Sequence, residues 1–98
     1  MRAIGLVRAE VSADPRVDET MIRSLAAARG YELRGILTIH PGTYMPTTLT
    51  VQTAAKQGAV AVLAPSLAHL GGTERAVALA CDVVTPQETV RRSGDASR

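Results

Sequence analysis

Ninety-eight residues, 46% of them apolar, with a formal net charge of +2, describe one small domain around a single core. Phenylalanine and tryptophan are absent and Tyr31 and Tyr44 are the only aromatics, so the core falls to alanine, valine, leucine and isoleucine, and a base-stacking platform for single-stranded nucleic acid is excluded. Acidic and basic side chains balance over residues 1–90, and the excess charge comes from Arg91, Arg92 and Arg98 against Asp95, which is no clustered basic face of the kind a DNA-binding surface needs.

The first strand is expected over about Ala3 to Val7, a short apolar run between Arg2 and Arg8. Asp14-Pro15 is a helix start, because an aspartate accepts from the free amides of the first turn and proline suits the first helical position. Asp18 and Glu19 favour the positive end of that helix. Val17, Met21 and Leu25 fall on one stripe with Ile22 and Ala26 beside it, and Gly30 is the stop.

Tyr31 to Ile39 is the second strand, with Leu33, Leu37 and Ile39 expected on one face and Gly35 marking an edge or a close backbone approach. The turn-rich run His40-Pro41-Gly42-Thr43-Tyr44-Met45-Pro46 follows. Thr47 to Gln57 is expected as a second helix with Thr47 or Thr48 near its cap, although Thr50, Val51 and Thr53 also suit an extended chain. Ala59 to Ala64 is apolar without alternation, as in a strand covered on both faces, and Pro65 ends it. Ser66 to Gly72 is a loop or short turn. Thr73 opens a third helix to about Ala80, carrying Val77 and Ala80 inward, and Asp82 to Thr85 is a short fourth strand closed by Pro86. The segment from Ser93 to Arg98 is expected to be disordered.

Strands alternating with helix-sized gaps predict right-handed crossovers. The expected fold is a three-layer α/β/α domain over residues 1–90, with a four-stranded parallel sheet in the order 2-1-3-4, and a flexible basic tail over residues 91–98. Ligands of such sheets collect at the carboxyl ends of the strands. Those ends carry Arg8, Glu10 and Ser12, then His40 and Tyr44, then Ser66 and His69.

Each of these groups has an ordinary alternative. Arg8 can clamp a phosphate or carboxylate with its planar fork, or pair with Glu10 or an acid of the first helix. Ser12 is a nucleophile only beside a base, which local spacing does not supply, and a turn or cap role is the simpler one. Gly71-Gly72 before Thr73 suits an anion nest or a flexible approach to the helix. Two isolated histidines and the single Cys81 lack the spacing of metal ligands, so neither metal nor cofactor is expected, and Cys81 serves as a small buried hydrophobe. The third strand ends in Ala64-Pro65 rather than in an acceptor aspartate, which argues against a receiver-type phosphorylation switch.

Two stretches carry a resemblance. Ala3-Ile4-Gly5-Leu6-Val7-Arg8, with Leu25 to Tyr31 following at a suitable distance, resembles the opening of the catalytic domain of serine site-specific recombinases, the resolvase/invertase family, whose first strand ends Tyr-x-Arg-Val-Ser. Gly58 to Ala64 followed by Ser66 to Gly72 resembles the strand leading to that family's Asp-Arg-Leu-x-Arg motif. The resemblance implies a serine hydroxyl that attacks a DNA phosphodiester while several arginines hold the developing charge. Arg8 matches the first-strand arginine, but the nucleophile position falls on Glu10, the motif aspartate on Ala68, its first arginine on His69 and its last on Gly72. The family's long dimerising helix and DNA-binding helix-turn-helix lie outside the resemblance, which covers about residues 3–85.

The expectation is therefore a resolvase-like domain that has lost strand exchange and acts as a binding or regulatory module in the cytoplasm, with the recombinase catalytic motifs largely absent and enzymatic activity left open. A homodimer or a related recombinase-like protein is the expected partner, with no membrane and no strong nucleic-acid binding. Two alternatives stand beside it. One is a small-anion or nucleotide-binding protein or enzyme using Arg8, Ser12, His40 and His69. The other is a residual recombinase with Ser12 as nucleophile, for which Arg8, Ser12 and His69 are the candidate catalytic residues.

Overall fold

The structure is a computed structural model and describes residues 1–93; the expected disordered segment lies outside these beyond Ser93. Its elements are β1 (Arg2–Arg8), α1 (Pro15–Arg29), β2 (Glu32–Ile39), α2 (Pro46–Gln57), β3 (Ala61–Leu63), a 3-10 turn (Leu67–Leu70), α3 (Glu74–Val77), β4 (Asp82–Val84) and β5 (Thr89–Val90). The first four strands are parallel in the order β2-β1-β3-β4, and β1 sits inside the sheet.

The sheet is nevertheless five-stranded and mixed, not four-stranded and parallel. β5 runs antiparallel beside β4, pairing Val90 with Val83 and Thr89 with Val84. The turn between them is closed by Thr85, which is buried. Its amide donates to the Glu88 carbonyl at 2.9 Å, and its hydroxyl donates to that carbonyl at 3.0 Å and accepts from the Glu88 amide at 3.1 Å. Beyond β5, the Arg92 amide donates to the Asp82 carboxylate at 2.6 Å and the Ser93 amide to the Ala78 carbonyl at 2.8 Å, so the chain stays attached past the expected boundary at residue 90.

Helices cover both faces of the sheet. Ala3, Val7, Ala61, Leu63 and Val84 pack against Ile22, Leu25 and Ala26 of α1. Ile4, Leu6, Ile39, Val62 and Val83 pack against Ala54 of α2 and Val77 of α3 on the other face. The central β3 is fully buried, with Ala61, Val62 and Leu63 each at 0% exposure, as an apolar run covered on both sides should be.

Local signals set the helix ends. Asp14 is the N-cap of α1 and accepts from the Arg16 amide at 3.0 Å, Pro15 follows, and Gly30 ends the helix in the left-handed conformation. Asp14→Ala is expected to cost about 1 kcal/mol, read as a lower urea midpoint with an unchanged slope. α2 is a helix and not an extended segment. The hydroxyls of Thr50 and Thr53 donate to the carbonyls of Pro46 and Leu49, four residues back, at 2.8 and 2.7 Å, which satisfies polar groups that would otherwise favour extended chain. It starts after Met45 rather than at Thr47 or Thr48, with no side-chain cap.

Three expectations about faces need correction. In β2 the pairing slips between Leu33↔Ala3 and Ile36↔Gly5, so Arg34-Gly35 form a bulge. Gly35 adopts a φ of 155°, which a side chain would strain. The extra residue reverses the alternation, so Leu33 and Ile36 face α1 while Leu37 and Ile39 face α2. α3 ends at Val77 and not near Ala80, with Ala78 inward and Ala80 exposed. In α1 the buried sector is Ile22, Leu25 and Ala26, whereas Val17 and Met21 are 56% and 39% exposed.

Candidate functional site

The carboxyl end of β1 carries a compact polar cluster built from β1, the loop after it, α1 and the 3-10 turn. Arg8 closes β1, and its backbone N–H donates to Nδ1 of His69 at 2.9 Å while its Nε donates to the His69 carbonyl at 3.1 Å. The turn that presents His69 ends at Gly71, in the left-handed conformation with φ of 60°. A Cβ on residue 71 would lie 2.9 Å from Nη2 of Arg8, so the guanidinium occupies the space that a side chain there would need. Gly71 thus gives Arg8 room to lie flat against the turn.

His69 is 3% exposed. Because Nδ1 accepts a backbone hydrogen bond, the neutral ring carries its proton on Nε2, which faces Oδ2 of Asp18 at 3.7 Å. Burial pushes the imidazole below the ordinary histidine range; the Asp18 carboxylate opposes that shift and the Arg8 guanidinium reinforces it. Oδ2 of Asp18 also accepts a short hydrogen bond from the Ser12 hydroxyl. Nη1 of Arg8 lies 3.7 Å from Oε1 of Glu10.

These contacts place a carboxylate between serine and histidine. In a hydrolytic triad the imidazole touches the hydroxyl and the carboxylate stands behind the imidazole. Here Ser12 meets Asp18 directly, and the proton-accepting nitrogen of His69 is occupied by the Arg8 amide. With His69 neutral, the Arg8 guanidinium faces the Glu10 carboxylate, and the Asp18 carboxylate lies against Nε2 of His69 and the Ser12 hydroxyl. An incoming phosphate would meet the Asp18 carboxylate at Ser12 and the Glu10 carboxylate at Arg8.

Of the groups expected at this sheet edge, Arg8, Glu10, Ser12 and His69 come together. His40 is exposed after β2, its amide donating to the Thr43 hydroxyl at 3.0 Å, and no hydrogen bond or ion pair ties it to the cluster among the described residues. Tyr44 is 85% exposed on the same loop. Ser66 precedes the 3-10 turn and makes no side-chain cap. Among the described residues no three His, Cys, Asp or Glu side chains gather as metal ligands would. Cys81 is buried, and that burial pushes its thiol up, so it is no poised thiolate.

Asp18 is the member that sequence reasoning placed elsewhere, as a residue favoured by the helix dipole. The available signal was its position one turn beyond the Asp14 cap, which brings a short acidic side chain back over the loop holding Ser12. The chain matches no protein-family model, no curated protein and no solved structure. Among the described residues no helix is long and apolar enough to cross a membrane.

Proposed function

We propose that this chain is a resolvase-like domain without strand-exchange chemistry, working as a binding or regulatory module. The sheet order β2-β1-β3-β4, with helices on both faces and an arginine at the end of β1, supports the three-layer, recombinase-like frame. One observation carries the loss of chemistry: the groups that would grip and attack a phosphodiester hold each other instead. Arg8 is committed to the His69 carbonyl and faces Glu10, and the Ser12 hydroxyl is committed to Asp18. Catalysis of phosphoryl transfer needs cations aimed at the charge that develops, and two carboxylates act against it.

Incubation of the full chain with supercoiled DNA carrying recombination sites, followed by denaturing electrophoresis and mass spectrometry, is expected to give no covalent protein–DNA adduct. An adduct through Ser12 would reverse the proposal. The small-anion reading is disfavoured by Glu10 and Asp18, and His40 makes no hydrogen bond to the cluster among the described residues. Inorganic phosphate added during amide NMR should leave the signals of Arg8, Ser12 and His69 unmoved; shifts confined to them would restore that reading.

A further inference from the structure

The outward face of α1 departs from the usual solvent face of a helix on a sheet. At 100° per residue, the side opposite Ile22 presents Val17, Thr20 and Ser24, with Met21 at its edge, all of them exposed and uncharged. The Thr20 hydroxyl is turned back to donate to the Arg16 carbonyl at 3.0 Å, which leaves its methyl group to the surface. These residues and Arg16 line a shallow depression of about 480 Å³. Arg16 and Arg23 border the strip on one flank, and neither guanidinium makes an ion pair among the described residues, although Glu19 lies one turn before Arg23.

We propose that this face docks an α-helix of a partner protein whose apolar ridge is bordered by glutamate or aspartate. The inference rests on the reading of the chain as a binding module and names its partner class. Thr20 and Ser24 are short enough to let a second helix approach closely beside the Val17–Met21 ridge, on the side of the arginines. The unpaired arginines lie on one side, so the complement is a helix with acids on the matching flank. A second copy packed antiparallel fits less well. A twofold axis that packs α1 antiparallel on itself sets the same flank against itself, and the Arg16–Arg23 row would meet its own like charges. An anionic lipid surface is also a poorer match, because the strip has no aromatic and only Val17 and Met21 to insert.

The test uses the whole chain and two synthetic amphipathic peptides of about 20 residues, long enough to form a helix. Both carry a leucine–alanine ridge, one flanked by glutamate and the other by lysine. The glutamate peptide is expected to bind about tenfold more tightly at low salt. Its amide NMR shifts should centre on Val17, Thr20, Met21 and Ser24, and binding should weaken as salt is raised. Arg16→Glu with Arg23→Glu should invert the preference, and Met21→Lys should weaken both peptides; all three residues are exposed, so the fold is retained, as circular dichroism will check.

Equal binding of the two peptides, shifts centred elsewhere, no binding, binding only to phosphatidylserine vesicles, or self-association of the chain through this face would each overturn the proposal. If the peptides fail while no DNA adduct forms, α1 is not the docking face and the module reading survives. If an adduct forms, that reading itself falls.

Discussion

His69→Leu is expected to destabilise the domain by about 1–3 kcal/mol, the cost of leaving a shielded donor without its acceptor. The residue is held to Arg8 at two points: ring Nδ1 accepts from the Arg8 amide, and the backbone carbonyl, which the leucine variant keeps, accepts from Nε of Arg8. Leucine fills a similar volume but offers nothing to the Arg8 N–H at the end of β1. His69→Gln keeps an acceptor and should cost less than the leucine variant. In a domain of this size each 1 kcal/mol lowers the melting temperature by about 4–8 °C, so a thermal scan separates the two variants. Equal melting temperatures for both would show that the imidazole acts by packing alone.

The same residue gives the wild type a pH dependence of definite sign. Burial and Arg8 depress the folded-state pKa of His69 against the opposing pull of Asp18, so the unfolded chain binds this proton more readily than the folded one. The stabilisation is therefore complete above about pH 6.5, the unperturbed value, and is lost as pH falls from there through the depressed folded-state value. Protonation also removes the lone pair that Arg8 N–H uses. Unfolding midpoints measured from neutral pH down to about pH 5 should fall for the wild type and stay flatter for His69→Gln.

How much of this was legible in the sequence depends on how local the cause is. Asp14-Pro15 and Gly30 mark α1 because capping acts within one turn. The buried run of β3 is likewise carried by its own residues. The face of Leu33 is not legible, because the bulge at Gly35 arises from pairing with β1, and pairing is invisible in β2 alone. The β4–β5 hairpin is hidden in the sequence because its turn depends on Thr85 bonding to Glu88, whereas the spacing of the earlier elements implies only crossovers. Within the site, Arg8 with Glu10 is a contact between near neighbours and was foreseen as one alternative. Arg8 and His69 are 61 positions apart, and only the pairing of β1 with β3 delivers the following turn to the end of β1.

Leu63→Ala is expected to have the larger effect, about 2–5 kcal/mol, because it opens a cavity that its surroundings cannot close. Leu63 is fully buried in β3, paired to Gly5 on one side and Val84 on the other, and its side chain belongs to the cluster under Ile22, Leu25 and Ala26 of α1. Both neighbouring strands are fixed by their ladders, so the sheet has little freedom to move inward. The composition sharpens the effect: with no phenylalanine or tryptophan in the chain, leucine and isoleucine are the largest fully buried side chains, and each fills a large share of a thin core. Leu79→Ala is the matched control. That leucine is 61% exposed, and its truncation should change stability by no more than about 0.5 kcal/mol. Urea titrations of the two variants should show a large midpoint shift for residue 63 and almost none for residue 79, with unchanged slopes. A cost below about 1 kcal/mol at residue 63 would mean that α1 settles onto the sheet to fill the gap. In that case the helix that carries Asp18 is not held rigidly, and the Ser12–Asp18–His69 alignment would loosen with it.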